Sequence, residues 1–174
     1  MPNDSALHKS CHNGELDAVQ RLIDGGEFDV NEAGAGERRP LHRAAGSNHV
    51  EICRYLIEKG ANIDQPDKSG RTALHWASIS GHMESAELLV ENGANLMAET
   101  SSKMTPLHGA AEGGRAELIR MFLEKGDKMV LVNARDIDNK TAFDLAMQGK
   151  HAAVIKVLKE MGDPNAQGAA CCVM

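Results

Sequence analysis

The chain has 174 residues and a net charge of −6, and 42% of it is hydrophobic while only 3% is aromatic. The acidic balance excludes a general nucleic-acid binder, which carries a basic excess, and no stretch approaches the ~20 apolar residues that a membrane helix requires. Four unevenly spaced cysteines fit neither a disulfide framework nor a zinc site, and the polar start Met1-Pro2-Asn3-Asp4-Ser5 lacks a signal peptide's apolar core, so a soluble, cytoplasmic body is expected.

Along the chain, Leu7-His8 opens a short helix that Gly14 breaks, and Gly26 closes a second helix. The opening phrase returns as Pro40-Leu41-His42, Ala73-Leu74-His75 and Thr105-Pro106-Leu107-His108, with histidines 34, 33 and 33 residues apart, and then as Thr141-Ala142-Phe143-Asp144 after 36 more. The closing glycines Gly26, Gly60, Gly93, Gly126 and Gly162 keep the same steps. Thr72, Thr105 and Thr141 stand where an N-cap belongs, and Pro106 takes the first helical position, where its missing N–H costs nothing. A first helix such as Leu74 to Ser80 ends at a glycine (Gly14, Gly81, Gly114) that readily adopts the left-handed conformation. A second helix carries apolar positions such as Ile52, Cys53, Leu56 and Ile57, and a hairpin containing Asn62, Ile63 and Asp64 leads to the next unit. With so few aromatics, the core is expected to be built from Ala, Leu, Ile, Val and Met in closely stacked helices. The units run roughly 5–32, 33–65, 66–98, 99–134 and 135–162.

The end units are atypical, as terminal repeats are: Ser10 and Cys11 replace an alanine pair, and Asp144 replaces the histidine. Three extra residues near Asp127–Leu131 are expected to bulge from the hairpin side. Residues 163–170, rich in Pro, Gly and Ala, read as a flexible linker.

A 33-residue period carrying Thr-Pro-Leu-His-x-Ala resembles the ankyrin repeat. The resemblance implies an all-α ankyrin-repeat solenoid of stacked helix-turn-helix units with hairpin loops over residues 1–162. It implies a structural role for His8, His42, His75 and His108, each hydrogen-bonding backbone between neighbouring units. It also implies a protein partner on the hairpin tips and the exposed face of the first helices. Those positions are Arg38 and Arg43 in the second unit, Lys68, Arg71, Trp76 and Ile79 in the third, and Met104 and Glu112 in the fourth. Trp76 is the only tryptophan; Lys68 and Arg71 lie near it in its own unit, and Arg38, Arg39 and Arg43 in the preceding one. Arg and Trp are common interface anchors, so one reading is an acidic or aromatic peptide docking on the second and third repeats; the other is that Trp76 covers neighbouring helices and the arginines are solvated.

The chain ends Cys171-Cys172-Val173-Met174, a C-a-a-X prenylation pattern with Cys171 as acceptor and a terminal methionine that favours farnesyl. In proteins with this motif the last three residues are then removed and the new carboxylate is methylated, so Cys172 is no second lipid site. One lipid chain gives only reversible attachment, and residues 160–170 contain no Lys or Arg. No catalytic constellation, metal site or cofactor motif emerges; Cys11 and Cys53 read as buried small hydrophobes. The expected function is a non-enzymatic adaptor or scaffold, tethered reversibly to the cytoplasmic face of a membrane. The alternative is a soluble inhibitor or assembly chaperone of an enzyme complex with an unmodified tail.

Overall fold

The structure, a computed structural model, describes residues 3–167; among these every regular element is helical. The described chain forms two compact units, one within Met1–Asn95 and one within Leu96–Met174. In the first, α1 (Ala6–Asn13) pairs with α2 (Leu16–Asp24), α3 (Pro40–Gly46) with α4 (Val50–Glu58), and α5 (Ala73–Ser80) with α6 (Met83–Glu91). In the second, α7 (Pro106–Glu112) pairs with α8 (Ala116–Lys125); α9 (Lys128–Asn133) follows, and α10 (Ala142–Gln148) pairs with α11 (Ala152–Glu160). A last helical turn, α12, spans Pro164–Gln167. Within each unit, first helices pack on first helices (α1, α3, α5; α7, α10) and second on second (α2, α4, α6; α8, α11). The core between them is aliphatic, with Leu7, Leu41, Leu56, Leu74, Leu89, Leu107, Ile119 and Leu158 all buried. Close approach of the first helices needs the small positions Ala44, Ala45, Ala77, Ala110 and Ala111, each fully buried. Cys11 and Cys53 are buried in the same way, and burial pushes the Cys53 thiol up to about 12 and that of Cys11 higher still.

Two histidine ladders tie neighbouring helix pairs. In the first, the Nδ1 of His108 accepts the Thr105 N–H at 3.2 Å and lies 2.9 Å from the Thr105 hydroxyl, while Nε2 reaches the Lys140 carbonyl at 3.1 Å. A ring whose Nδ1 accepts carries its proton on Nε2, so Nε2–H donates forward to the next pair. His42 does the same between the Arg39 N–H (2.7 Å) and the Arg71 carbonyl (3.0 Å), and His8 reaches the Arg38 carbonyl at 2.9 Å. The threonines do start these helices, but the third helical residue shares the capping, as in a capping box. Asp144 reproduces only the local half, accepting from the Thr141 N–H and hydroxyl, both at 2.9 Å. The second ladder uses His49, His82 and His151, which precede second helices and point backward. Their Nε2 atoms lie 2.9, 3.2 and 2.8 Å from the carbonyls of His12, Gly46 and Glu112.

Two expectations change. The extra residues after Gly126 do not bulge: Asp127 caps α9 by accepting from Met129 and Val130, and α9 buries Leu131 and Val132 against α8. Gly126 consequently ends α8 with extended backbone at φ −110°, whereas Gly60 and Gly93 sit at +89° and +88°. A Cβ at Gly126 would meet the side-chain methyls of Leu131 at 2.7 Å and Leu96 at 2.8 Å, so what favours glycine there is space rather than φ. The linker reading of 163–170 fails over 163–167. Asp163 and Ala166 are buried, and the Asn165 side chain donates to the Val132 carbonyl at 3.1 Å, which docks α12 on α9 and α11. Burial raises the Asp163 carboxyl above the usual range although it accepts from Asn165. The remainder of that linker and the 171–174 motif lie outside the described residues.

Candidate protein-interaction site

Trp76 lies on α5, directly after a motif histidine, and is half-buried. Asp67 holds it. The Asp67 carboxylate sits in the preceding hairpin, where Oδ1 accepts from the Ser69 N–H at 2.8 Å and the Arg71 N–H at 3.0 Å. That leaves Oδ2 to accept the Trp76 indole N–H at 3.1 Å. With the ring so fixed, the Arg38 guanidinium lies 4.4 Å and the Arg71 guanidinium 5.2 Å from its centroid, within the range of cation–π attraction. Arg38 arrives from the previous hairpin, and its Nε is 3.9 Å from Asp67 Oδ2. Two hairpins and one helix therefore converge on one indole.

Beside the ring is a small depression of about 100 Å³ lined by His12, Arg38, His42, Arg43, Ser47 and Trp76, with Gly46 closing it. A Cβ at Gly46 would stand in ordinary contact with the Trp76 Cβ at 3.5 Å, so the space there does not demand glycine. Arg43 pairs with Asp4, whose carboxyl ends up below its usual value: burial opposes ionisation, but the Arg43 hydrogen bond and the Ala35 N–H outweigh it. Among the described residues the Nε atoms of Arg38, Arg39 and Arg43, all out of solvent, find no hydrogen-bond acceptor. Burial pushes His42 down to about 4, so this ring is neutral near pH 7.

The residues expected from sequence divide as follows. Arg38, Arg71, Trp76 and Arg43 are brought together. Lys68 is exposed on the hairpin, where its N–H donates to the Gly36 carbonyl at 2.9 Å, and Ile79 is half-buried further along α5. Met104 and Glu112 belong to the second unit: Met104 is half-buried with its N–H on Thr100, and Glu112 is exposed. Asp67 was not anticipated. Its signal was recurrence, because Asp67, Thr100 and Asp136 stand 33 and 36 residues apart and each accepts two hairpin N–H groups. The second histidine ladder carries the same signal, with His49, His82 and His151 standing 33 and 69 residues apart.

Comparison with known proteins agrees with this architecture. A family model of ankyrin repeats in three copies matches residues 7–100, and one of ankyrin repeats in many copies matches residues 89–146. The chain is similar to myotrophin of Xenopus tropicalis, 48% identical over 50 residues, which is 29% of this chain and 42% of myotrophin. It is 42% identical over 59 residues to the histone-lysine N-methyltransferase EHMT1 of Homo sapiens, covering 33% of this chain and 4% of the enzyme. It is 37% identical over 59 residues to the palmitoyltransferase akr1 of Schizosaccharomyces pombe, covering 34% and 9% respectively. The chain thus spans less than half the length of these curated relatives. The ankyrin models cover more than half of the chain in helices that stack as such repeats do, and the chain belongs to the ankyrin-repeat family, generally a non-enzymatic module of protein–protein interaction.

Proposed function

We propose that the protein is a non-enzymatic adaptor that seats an acidic side chain of its partner beside Trp76 and is carried to a cytoplasmic membrane surface by farnesylated Cys171. The observation that carries the binding half is the single depression lined by Arg38, Arg43 and a fixed indole. A carboxylate entering the depression meets the arginine charge beside the fixed indole. Its volume of about 100 Å³ suits one such side chain rather than a small-molecule substrate. The membrane half rests on the Cys171-Cys172-Val173-Met174 sequence.

The test is metabolic labelling with a clickable isoprenoid on the intact chain and on Cys171→Ser, followed by membrane fractionation and partner capture from each fraction. The reading expects label and membrane fraction to be lost together in Cys171→Ser. It expects capture to survive that change but to fail in Arg38→Ala/Arg43→Ala. An unlabelled intact chain leaves a soluble regulator, and capture that ignores both arginines removes the proposed site.

A further inference from the structure

The outer face of the α10–α11 pair keeps apolar residues where a terminal pair ordinarily becomes polar. Met147 and Ile155 occupy the places that Ala111 and Ile119 hold one unit earlier, at the same 36-residue step. Ala111 and Ile119 are fully buried, Ile119 on a helix that α11 covers, whereas Met147 and Ile155 are only half-buried. Together with Ala152 they line an apolar groove of about 580 Å³, which Lys150, Lys156 and Lys159 also line. All three lysines are exposed, the Lys156 side chain by 77%. Glu160 is the acidic residue of the lining, and it is engaged by Arg120 at 3.1 Å and by Lys156 at 3.8 Å. On a chain of net charge −6, an apolar groove with three lysines is a local reversal of sign.

We infer that this groove is a docking face for an anionic lipid bilayer, with Met147 and Ile155 toward the acyl boundary and the three lysines on the headgroups. The inference rests on the lipid-anchor reading and deepens it. Cys171 lies four residues beyond Gln167, a span of at most ~14 Å from the end of α12 to its Cα, and α12 packs on α11 itself. A farnesyl group inserted in the membrane therefore keeps the end of α12, and α11 on which it packs, near the headgroups. A single lipid chain is a marginal anchor that needs a second signal. The sequence next to Cys171 supplies no basic residue, and the folded α10–α11 face does.

The experiment uses the full chain, farnesylated in vitro, sedimented with vesicles of pure phosphatidylcholine and of phosphatidylcholine with about 30% phosphatidylserine. Each lysine near an anionic surface is worth roughly fivefold in partition, and Glu160 subtracts. The farnesylated chain is expected to bind the phosphatidylserine vesicles tenfold to a hundredfold more tightly, with the difference fading as salt rises. Lys150→Gln/Lys156→Gln/Lys159→Gln should reduce the difference to about twofold and leave phosphatidylcholine binding unchanged. Ile155→Glu, with its helical circular dichroism intact, should weaken binding to both vesicles. Equal binding of the farnesylated chain to the two vesicles overturns the docking face while the anchor stands. Phosphatidylcholine binding no better than that of Cys171→Ser overturns the anchor and the face together. A gain of phosphatidylcholine binding in Ile155→Glu overturns the face in favour of a groove that shelters the chain's own 168–174 segment.

Discussion

Replacing His42 with glutamine separates the histidine's two properties, its hydrogen bonds and its titration. The ring is 3% exposed, accepts the Arg39 N–H at 2.7 Å and donates to the Arg71 carbonyl at 3.0 Å. Glutamine also offers one acceptor and one donor but cannot be protonated. Burial moves the folded-state pKa from 6.5 to about 4, with nearby Asp67 only partly opposing the shift. The unfolded chain therefore binds a proton here more readily than the folded one, and stability must rise with pH across the interval between the two values. His42 contributes its full stabilisation above about pH 6.5 and loses it progressively down to about pH 4. Between pH 7 and pH 5 the loss is about 2 kcal/mol at 1.36 kcal/mol per unit, or roughly 4–8 °C in Tm for a chain of this size. Urea denaturation followed by helical circular dichroism at several pH values measures it. His42→Gln should be less stable by about 1–2 kcal/mol at pH 7, because an amide does not span the same gap as an imidazole. Its stability should nevertheless fall about 2 kcal/mol less than wild type on going to pH 5. His108, whose pKa burial also lowers, titrates in both proteins and cancels in the comparison. Equal losses in the two proteins would refute the assignment of His42 as a neutral bridge.

Three further outcomes follow from the same geometry. Trp76→Phe keeps the ring for Arg38 and Arg71 but removes the indole N–H from Asp67; it should lower stability by about 1–2 kcal/mol in chemical denaturation, and a value near zero would mean that Asp67 does not hold the ring. Asp127→Ala removes the cap accepted from Met129 and Val130; it should cost about 1 kcal/mol and raise amide exchange in α9 and α12 before α8, whereas uniform protection would show that α9 does not depend on its cap. Cys11 and Cys53, buried and with thiol pKa values raised by burial, should resist a thiol reagent at pH 8 in a Cys171→Ser/Cys172→Ser background until urea unfolds the first unit. Rapid labelling of that protein without denaturant would contradict their burial.

The family and the helical register were legible because both are local and periodic. A threonine, a proline and a glycine act on their own turn of chain, so their recurrence at 33-residue steps announces the same turn each time. The candidate site was legible in part for the same reason: Trp76 and its arginines stand at repeat positions that vary, and Arg38 and Arg71 do meet its ring. Their pairing through Asp67 was not legible, because it depends on the distance between two hairpins separated by a full unit. The departures at Asp127 and Asp163 have one cause. A six-residue apolar-polar segment such as Lys128–Asn133 has too few turns to announce a helix on its own, and residues 163–167 look like linker until Asn165 finds the Val132 carbonyl. Sequence by itself thus determined which units this chain would form. Tertiary packing decided which side chains from successive units would touch and which short segments would become helical, because each depends on a neighbour that no local pattern contains.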